Sequence, residues 1–318
     1  MNAGAVVLLA FISHSLMVPV LSSGSDWGYE DANGPTTWPT AFPACAGESQ
    51  SPINIVETES SDMGTFELTG FSNSPPTDST MTLKNTGHGV QVDLVGDYLI
   101  NGACLPSEYR AIQFHFHWGS TNDKGSEHRV NGDMYSVEMH IVSFDHINFA
   151  TVADALEDAQ GVAVLSTLIE VGVENNTAFD NIFDYLDEVV YPDETYSYSD
   201  TFPILAMMPS DLTTYYRYQG SLTTPQCNQA VIWSIFQSPV QISQEQLDQF
   251  RTLKFNAMGE ADNPMVDNFR PPQPLNDRVV YINDLSASPC EESSAAMVYA
   301  RSGVIIAAMA IVNAFIKF

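Results

Sequence analysis

Histidines at strand spacing are the first residues here that could do chemistry. In the run Gln113-Phe114-His115-Phe116-His117-Trp118, β-strand alternation sends Gln113, His115 and His117 to one face and the three aromatic residues to the other. Two imidazoles placed this way can converge on one ion. In the next strand-like run, Val137-Glu138-Met139-His140-Ile141-Val142, the same alternation puts Glu138 and His140 on one face, so an antiparallel return makes His140 the natural third ligand. Three neutral imidazoles with a fourth position open suit a catalytic zinc site rather than a structural one. Each ligand ring also needs an acceptor to fix its tautomer, and Gln113 and Glu138 are of the right type.

Alternate histidines on an aromatic strand can instead be satisfied core residues, a reading that a third histidine beside a same-strand carboxylate disfavours. Other metal folds fit less well. The His-Glu-x-x-His helix of zincins is absent, and Ser126-Glu127-His128 is not a version of it. A cupin-like barrel would want a glutamate three or four residues after His117, where Ser120 and Thr121 stand.

The elements that must hold these residues are mostly strands. Alternating, β-branched and aromatic runs at 89–94, 111–118, 135–144, 162–171 and 230–236 predict them. Helical patterns are few and short, at 151–159, 177–185 and 243–252, the last with Ser243 as N-cap and Gln246 three residues on. Residues 72–79 and the acidic stretch 185–200 read as surface loops. The expectation is a β-dominated α+β chain, with one catalytic domain over residues 26–290 and short peripheral helices.

Several ordered motifs carry a resemblance. They are Trp27-Gly28-Tyr29, Gln50-Ser51-Pro52-Ile53-Asn54-Ile55, Asn85-Thr86-Gly87-His88 and the run 111–118, then Gly125-Ser126-Glu127-His128 and Glu138-Met139-His140. Gly220-Ser221-Leu222-Thr223-Thr224-Pro225, Asn268-Phe269-Arg270-Pro271 and Gln273-Pro274-Leu275 complete the series. Over about residues 27–280 the chain resembles the α-carbonic anhydrases. The resemblance implies a single domain on a large, twisted, mostly antiparallel central sheet, with zinc at the bottom of a conical cleft, interconverting carbon dioxide and bicarbonate.

It also implies a role for each matched position. His115, His117 and His140 would bind zinc; Thr223 would accept a hydrogen bond from zinc-bound hydroxide and pass its own proton towards Glu127. Thr224 would bind bicarbonate, and Val142, Val164, Leu222 and Trp233 would line the apolar carbon dioxide pocket. His88 would shuttle protons, as an imidazole with a pKa near about 6.5 can. Thr86 and Gln91 stand where many members of the family carry asparagine, which bears on shuttling but not on zinc. His128 reads as structural, and His146 and His14 carry no signal. Exported members often link two cysteines placed like Cys45 and Cys227. Cys104 and Cys290 then stay open: paired, free, or linking two chains.

Of two other functions, a non-catalytic binding protein on this scaffold typically lacks a zinc ligand, and all three are present. Ester hydrolysis would be a side activity of the same site.

Composition narrows the partners. Eleven basic residues against 39 acidic ones give a formal charge of -28, which repels nucleic acid and leaves calcium or other cations as candidates for the acidic surface. Residues 1–23 read as a secretory signal peptide, although the expected basic flank is missing. Residues 291–318 read as a spacer and hydrophobic tail. Its apolar run, 303–316, is shorter than the roughly 20 residues of a membrane span, which suggests a GPI-attachment signal over a short membrane or interfacial segment. Asn175-Asn176-Thr177 is a glycosylation acceptor. These features predict a secreted protein, or one on the extracellular face of the membrane.

Overall fold

The computed structural model describes residues 27–290, so the signal-peptide and tail expectations lie outside the described residues. Among these residues a twisted sheet of 13 strands dominates. The strands that matter for the site are β1 (Thr80–Asn85), β2 (Val90–Val95), β3 (Tyr109–Trp118), β4 (Val137–Asp145), β5 (Val162–Gly172), β6 (Tyr215–Gly220) and β7 (Val231–Phe236). They lie in the order β1-β2-β3-β4-β5-β7-β6. Neighbours run antiparallel except β5 and β7, which are parallel.

Alternation explains both faces. Phe114, Phe116 and Trp118 of β3 and Met139 and Ile141 of β4 enter one large core, together with Phe179, Phe183 and Phe250. On the opposite side Val162, Val164, Leu168, Val231 and Trp233 form a second apolar cluster with Ile53 and Ile55. The site lies on that second side, so its floor is a rigid sheet backed by the main core.

The expected strands form within a residue or two of their predicted ends. The helices are shorter than the pattern suggests. The run 151–159 gives only Val152–Ala155, because the chain must turn back into β5; a Cβ at Gly161 would lie 1.8 Å from the Ala155 carbonyl oxygen. The run 177–185 splits into a 3-10 turn, Thr177–Phe179, and one α turn, Asp180–Phe183. The last helix, Gln244–Phe250, begins with the expected capping box: Ser243 Oγ accepts from the Gln246 N–H and Gln246 Oε1 accepts from the Ser243 N–H. The acidic stretch is not all loop. It contains a 3-10 turn, Leu186–Val189, and an edge strand, Thr195–Ser197, paired with β1.

The turn after β4 depends on one carboxylate. Asp145 accepts hydrogen bonds from the Ser107 hydroxyl (2.8 Å), the Ile147 and Asn148 N–H groups (3.1 and 3.0 Å) and the Asn148 side-chain amide (2.7 Å). Burial alone would raise its pKa, but these donors overrule it and hold the group below the ordinary aspartate value. A depressed carboxylate stabilises the fold above its unfolded pKa of about 3.9 and loses that contribution as pH falls through the folded value. Asp145→Asn is therefore expected to cost about 1.5–3 kcal/mol at pH 7. In thermal melts the gap from wild type should close as pH drops below about 4; a gap independent of pH would contradict this assignment.

Candidate active site

A single extra residue sets the phase of β3. Ala111 pairs with Ser143 and Gln113 with Val142, so Ile112 is a bulge with no partner of its own. Without it, alternation from the buried Tyr109 and Ala111 would carry Gln113, His115 and His117 into the core. With it, both Ile112 and Gln113 face the same cavity, and the two histidines follow Gln113 onto the cleft side. His115 then sits directly opposite His140 on β4, and His117 opposite Glu138.

Each of the three rings has one nitrogen already committed. His115 Nδ1 is 2.8 Å from Gln113 Oε1, His117 Nδ1 is 2.7 Å from the Asn268 carbonyl, and His140 Nε2 is 2.7 Å from Glu138 Oε1. The remaining nitrogens turn towards one another. His115 Nε2 and His117 Nε2 are 3.1 Å apart, and one ligand atom from each ring lies within 4.8 Å of the others. Burial pushes the pKa of all three down, with neighbouring histidines adding to it at His115; His117 falls to about 4. Three neutral, unprotonated nitrogens facing one another in a buried site repel each other unless a cation takes their lone pairs. The donor set, two Nε2 and one Nδ1, fits a tetrahedral zinc with its fourth position free.

Two buried glutamates flank the rings in different ways. Glu138 accepts from His128, His140 and the Ser166 hydroxyl at Oε1, and from the Glu127 and His128 N–H groups at Oε2. Burial would raise its pKa, but His128 and His140 hold it well below the usual glutamate value. Glu127 has fewer donors. Burial raises it to about 7, against the pull of His140, the Arg270 N–H and the Thr223 hydroxyl. Its Oε2 lies 3.4 Å from His117 Nε2 and 3.9 Å from His140 Nδ1.

Two cavities meet at the histidines. An apolar one of about 210 Å³ is walled by Val142, Val164, Leu222 and Trp233, with Thr223 and Thr224 at its polar end. A second, of about 230 Å³, runs outward past Gln91, Thr86 and Gly89 to His88, whose ring stacks on Trp27 at 3.7 Å. The structure thus brings His88, Gln113, His115, His117, His140, Thr224 and the apolar quartet to the walls of two cavities that share His115. Glu127 lies behind them.

The other expected residues fall elsewhere. Cys45 and Cys227 form a disulfide, and Cys104 pairs with Cys290, which settles the open pair. Asn175 is exposed, next to Asn176, whose side chain caps the 3-10 turn at Thr177. His146, just past the end of β4, binds Glu108 at 2.9 Å and belongs to neither histidine group that could hold a metal.

Sequence reasoning missed Ile112, Val152, Leu156 and Val162 in the apolar wall. It also missed Asn268, which orients His117 through its carbonyl and holds the Trp118 N–H and the His88 carbonyl with its side chain. Its motif was visible, but a role played by a main-chain oxygen leaves no signature in residue type.

Comparison with known proteins agrees with this geometry. The sequence model of the eukaryotic-type carbonic anhydrases matches residues 33–284. The chain is similar to human carbonic anhydrase 12, with 36% identity over 296 residues covering 91% of this chain and 82% of the human protein. It is equally similar to mouse carbonic anhydrase 1, with 36% identity over 261 residues covering 81% of this chain and 98% of the mouse protein. With three imidazoles converging beside an apolar pocket and a family match that spans the sheet, the chain belongs to the eukaryotic-type carbonic anhydrases.

Proposed function

We propose that the chain reversibly hydrates carbon dioxide to bicarbonate and a proton at a zinc ion held by His115, His117 and His140. The observation that carries this reading is the set of three inward-facing imidazole nitrogens, each fixed by an acceptor on the far side of its ring, at the end of an apolar cavity. Zinc bound there supplies Lewis acidity that lets a water molecule ionise near neutral pH, a behaviour for which carbonic anhydrases are themselves the reference case.

The chain's own residues do the rest. Val142, Val164, Leu222 and Trp233 hold a small apolar substrate beside the metal and exclude water. Thr223, with its proton directed to Glu127, presents a lone pair that orients the attacking oxygen. Thr224 stands at the polar end of the pocket to receive bicarbonate. His88, on the wall of the outer cavity, passes protons to buffer; Thr86 and Gln91 line that path.

Two disulfides and a glycosylation acceptor on an exposed asparagine support export, within a catalytic domain of residues 26–290. The lipid anchor belongs to the same reading and rests on the tail sequence alone. Calcium on the acidic surface is a separate role; no carboxylate-only group of three gathers its oxygens among the described residues.

Stopped-flow hydration with a pH indicator tests the reaction. Zinc-loaded protein should hydrate carbon dioxide rapidly, lose that activity on chelation and regain it when zinc returns. Stoichiometric zinc with hydration no faster than buffer would sink the proposal and favour a binding protein on this scaffold.

A further inference from the structure

The hydrogen bonds around Glu138 do not stop at the ligand His140. The same oxygen, Oε1, is 2.7 Å from His128 Nδ1, and the other nitrogen of that ring is 2.7 Å from the Tyr218 hydroxyl. Tyr218 in turn is 2.7 Å from Ser51 Oγ. Ser51 and Ser221 then exchange two bonds. The Ser221 N–H donates to Ser51 Oγ at 3.0 Å, and the Ser51 N–H donates to Ser221 Oγ at 2.9 Å. Leu222, Thr223 and Thr224 follow at once in the chain.

The path is dry. His140, Glu138, His128, Tyr218, Ser51 and Ser221 are all 0–1% exposed. It runs from β4 to β6, which are separated in the sheet by β5 and β7, and joins segments that the sheet's own ladder does not connect. The Tyr218 hydroxyl has one proton and two partners at 2.7 Å, so it donates to one and accepts from the other. Phenylalanine there would leave His128 Nε2 without its partner and Ser51 Oγ with only the Ser221 N–H.

We propose that Tyr218, acting through His128 and Ser51, is a positioning residue that couples the ring of His140 to the backbone at the root of the Thr223 loop. Metal retention and the placement of Thr223 are then set together. Partners one bond beyond a metal ligand cost about 10–100-fold in affinity when removed, and Tyr218 stands two links further out. The inference rests on the zinc reading above. A purely structural role for the same hydroxyl would lower stability and leave the metal's surroundings unchanged.

The test compares wild type with Tyr218→Phe, Ser51→Ala, their double variant and Tyr216→Phe, whose half-exposed ring lies outside the path. Each is loaded with zinc, and release to a chelator is followed at a temperature where all are folded. Each is also loaded with cobalt(II) and its visible spectrum recorded. Tyr216→Phe should match wild type. Tyr218→Phe should release zinc about tenfold faster, with shifted cobalt bands. Ser51→Ala should move both readouts in the same direction, and the double variant should be no faster than Tyr218→Phe, because both cut one path. Wild-type release and spectrum in both Tyr218→Phe and Ser51→Ala would overturn the coupling, whatever their melting temperatures. A wild-type protein that takes up no zinc would instead overturn the proposed function.

Discussion

Replacing His140 by alanine is expected to abolish stoichiometric zinc binding and to reduce carbon dioxide hydration to the rate of buffer. His140 supplies the one nitrogen that comes from β4, and it faces His115 directly across the ladder. Without it, two imidazoles from a single strand remain, and the loss must exceed the roughly 10–100-fold that an outer partner of a ligand costs. The fold should survive. Glu138 would still accept from His128, Ser166 and two backbone N–H groups, so no charge is stranded. The checks are metal analysis after gel filtration, stopped-flow hydration and far-UV circular dichroism on the same sample. A folded variant with full zinc and wild-type hydration would remove His140 from the site.

Glu138→Ala should do the opposite kind of damage, with stability failing along with the metal. Five donors lose their acceptor in a fully buried place, among them both rings that depend on it for orientation. Breaking a buried ionic arrangement by removing one member costs about 3–5 kcal/mol. At roughly 2–4 °C per kcal/mol for a domain of this size, the melting temperature should fall by about 10 °C. Glu138→Gln keeps the shape but offers two of the donors an amide instead of a carboxylate. It should retain more stability than alanine and lose zinc affinity by about 10–100-fold. Calorimetry and a zinc-chelator competition separate the two effects. If the alanine variant melts like wild type, the five hydrogen bonds are not the anchor described above.

What could be read from sequence followed from local periodicity. The alternation of residues 113–118 and 137–142 singled out the three histidines that the structure gathers, their shared faces and the two side-chain acceptors, because strand phase depends on neighbours one and two residues away. The bulge at Ile112 was not legible. Nothing in Ala111-Ile112-Gln113 marks an unpaired residue, and its existence is decided by the pairing with β4 thirty residues on. The helices came out short for a similar reason: local propensity over 151–159 is helical, but the connection into β5 is decided by sheet geometry. Asn268 and Tyr218 act through partners about 150 and 90 residues away, beyond any local pattern. The Cys45–Cys227 pairing followed from family resemblance, whereas Cys104–Cys290 needed the three-dimensional path of the chain.

The buried arginines bear on what the exterior is like. Arg270 Nη atoms donate to the Ser51 and Cys45 carbonyls and to Gln50, and its guanidinium lies over Trp38; Arg278 donates to the carbonyls of Gln50, Gln219, Leu275 and Pro274 and lies over Tyr218. Arg217 donates to Ser234 and the Ala103 carbonyl between Phe66 and Tyr215. A chain with eleven cationic side chains thus uses three of them as internal cross-braces between loops, each gripping main-chain oxygens instead of a carboxylate. Several others, Lys84, Arg110, Lys124, Arg251 and Lys254, are matched one to one with an aspartate. To an approaching macromolecule the outside is therefore more uniformly anionic than the composition alone conveys. An ion-exchange resin should retain this protein as it would a polyanion, and neighbouring copies should keep their distance in dilute salt.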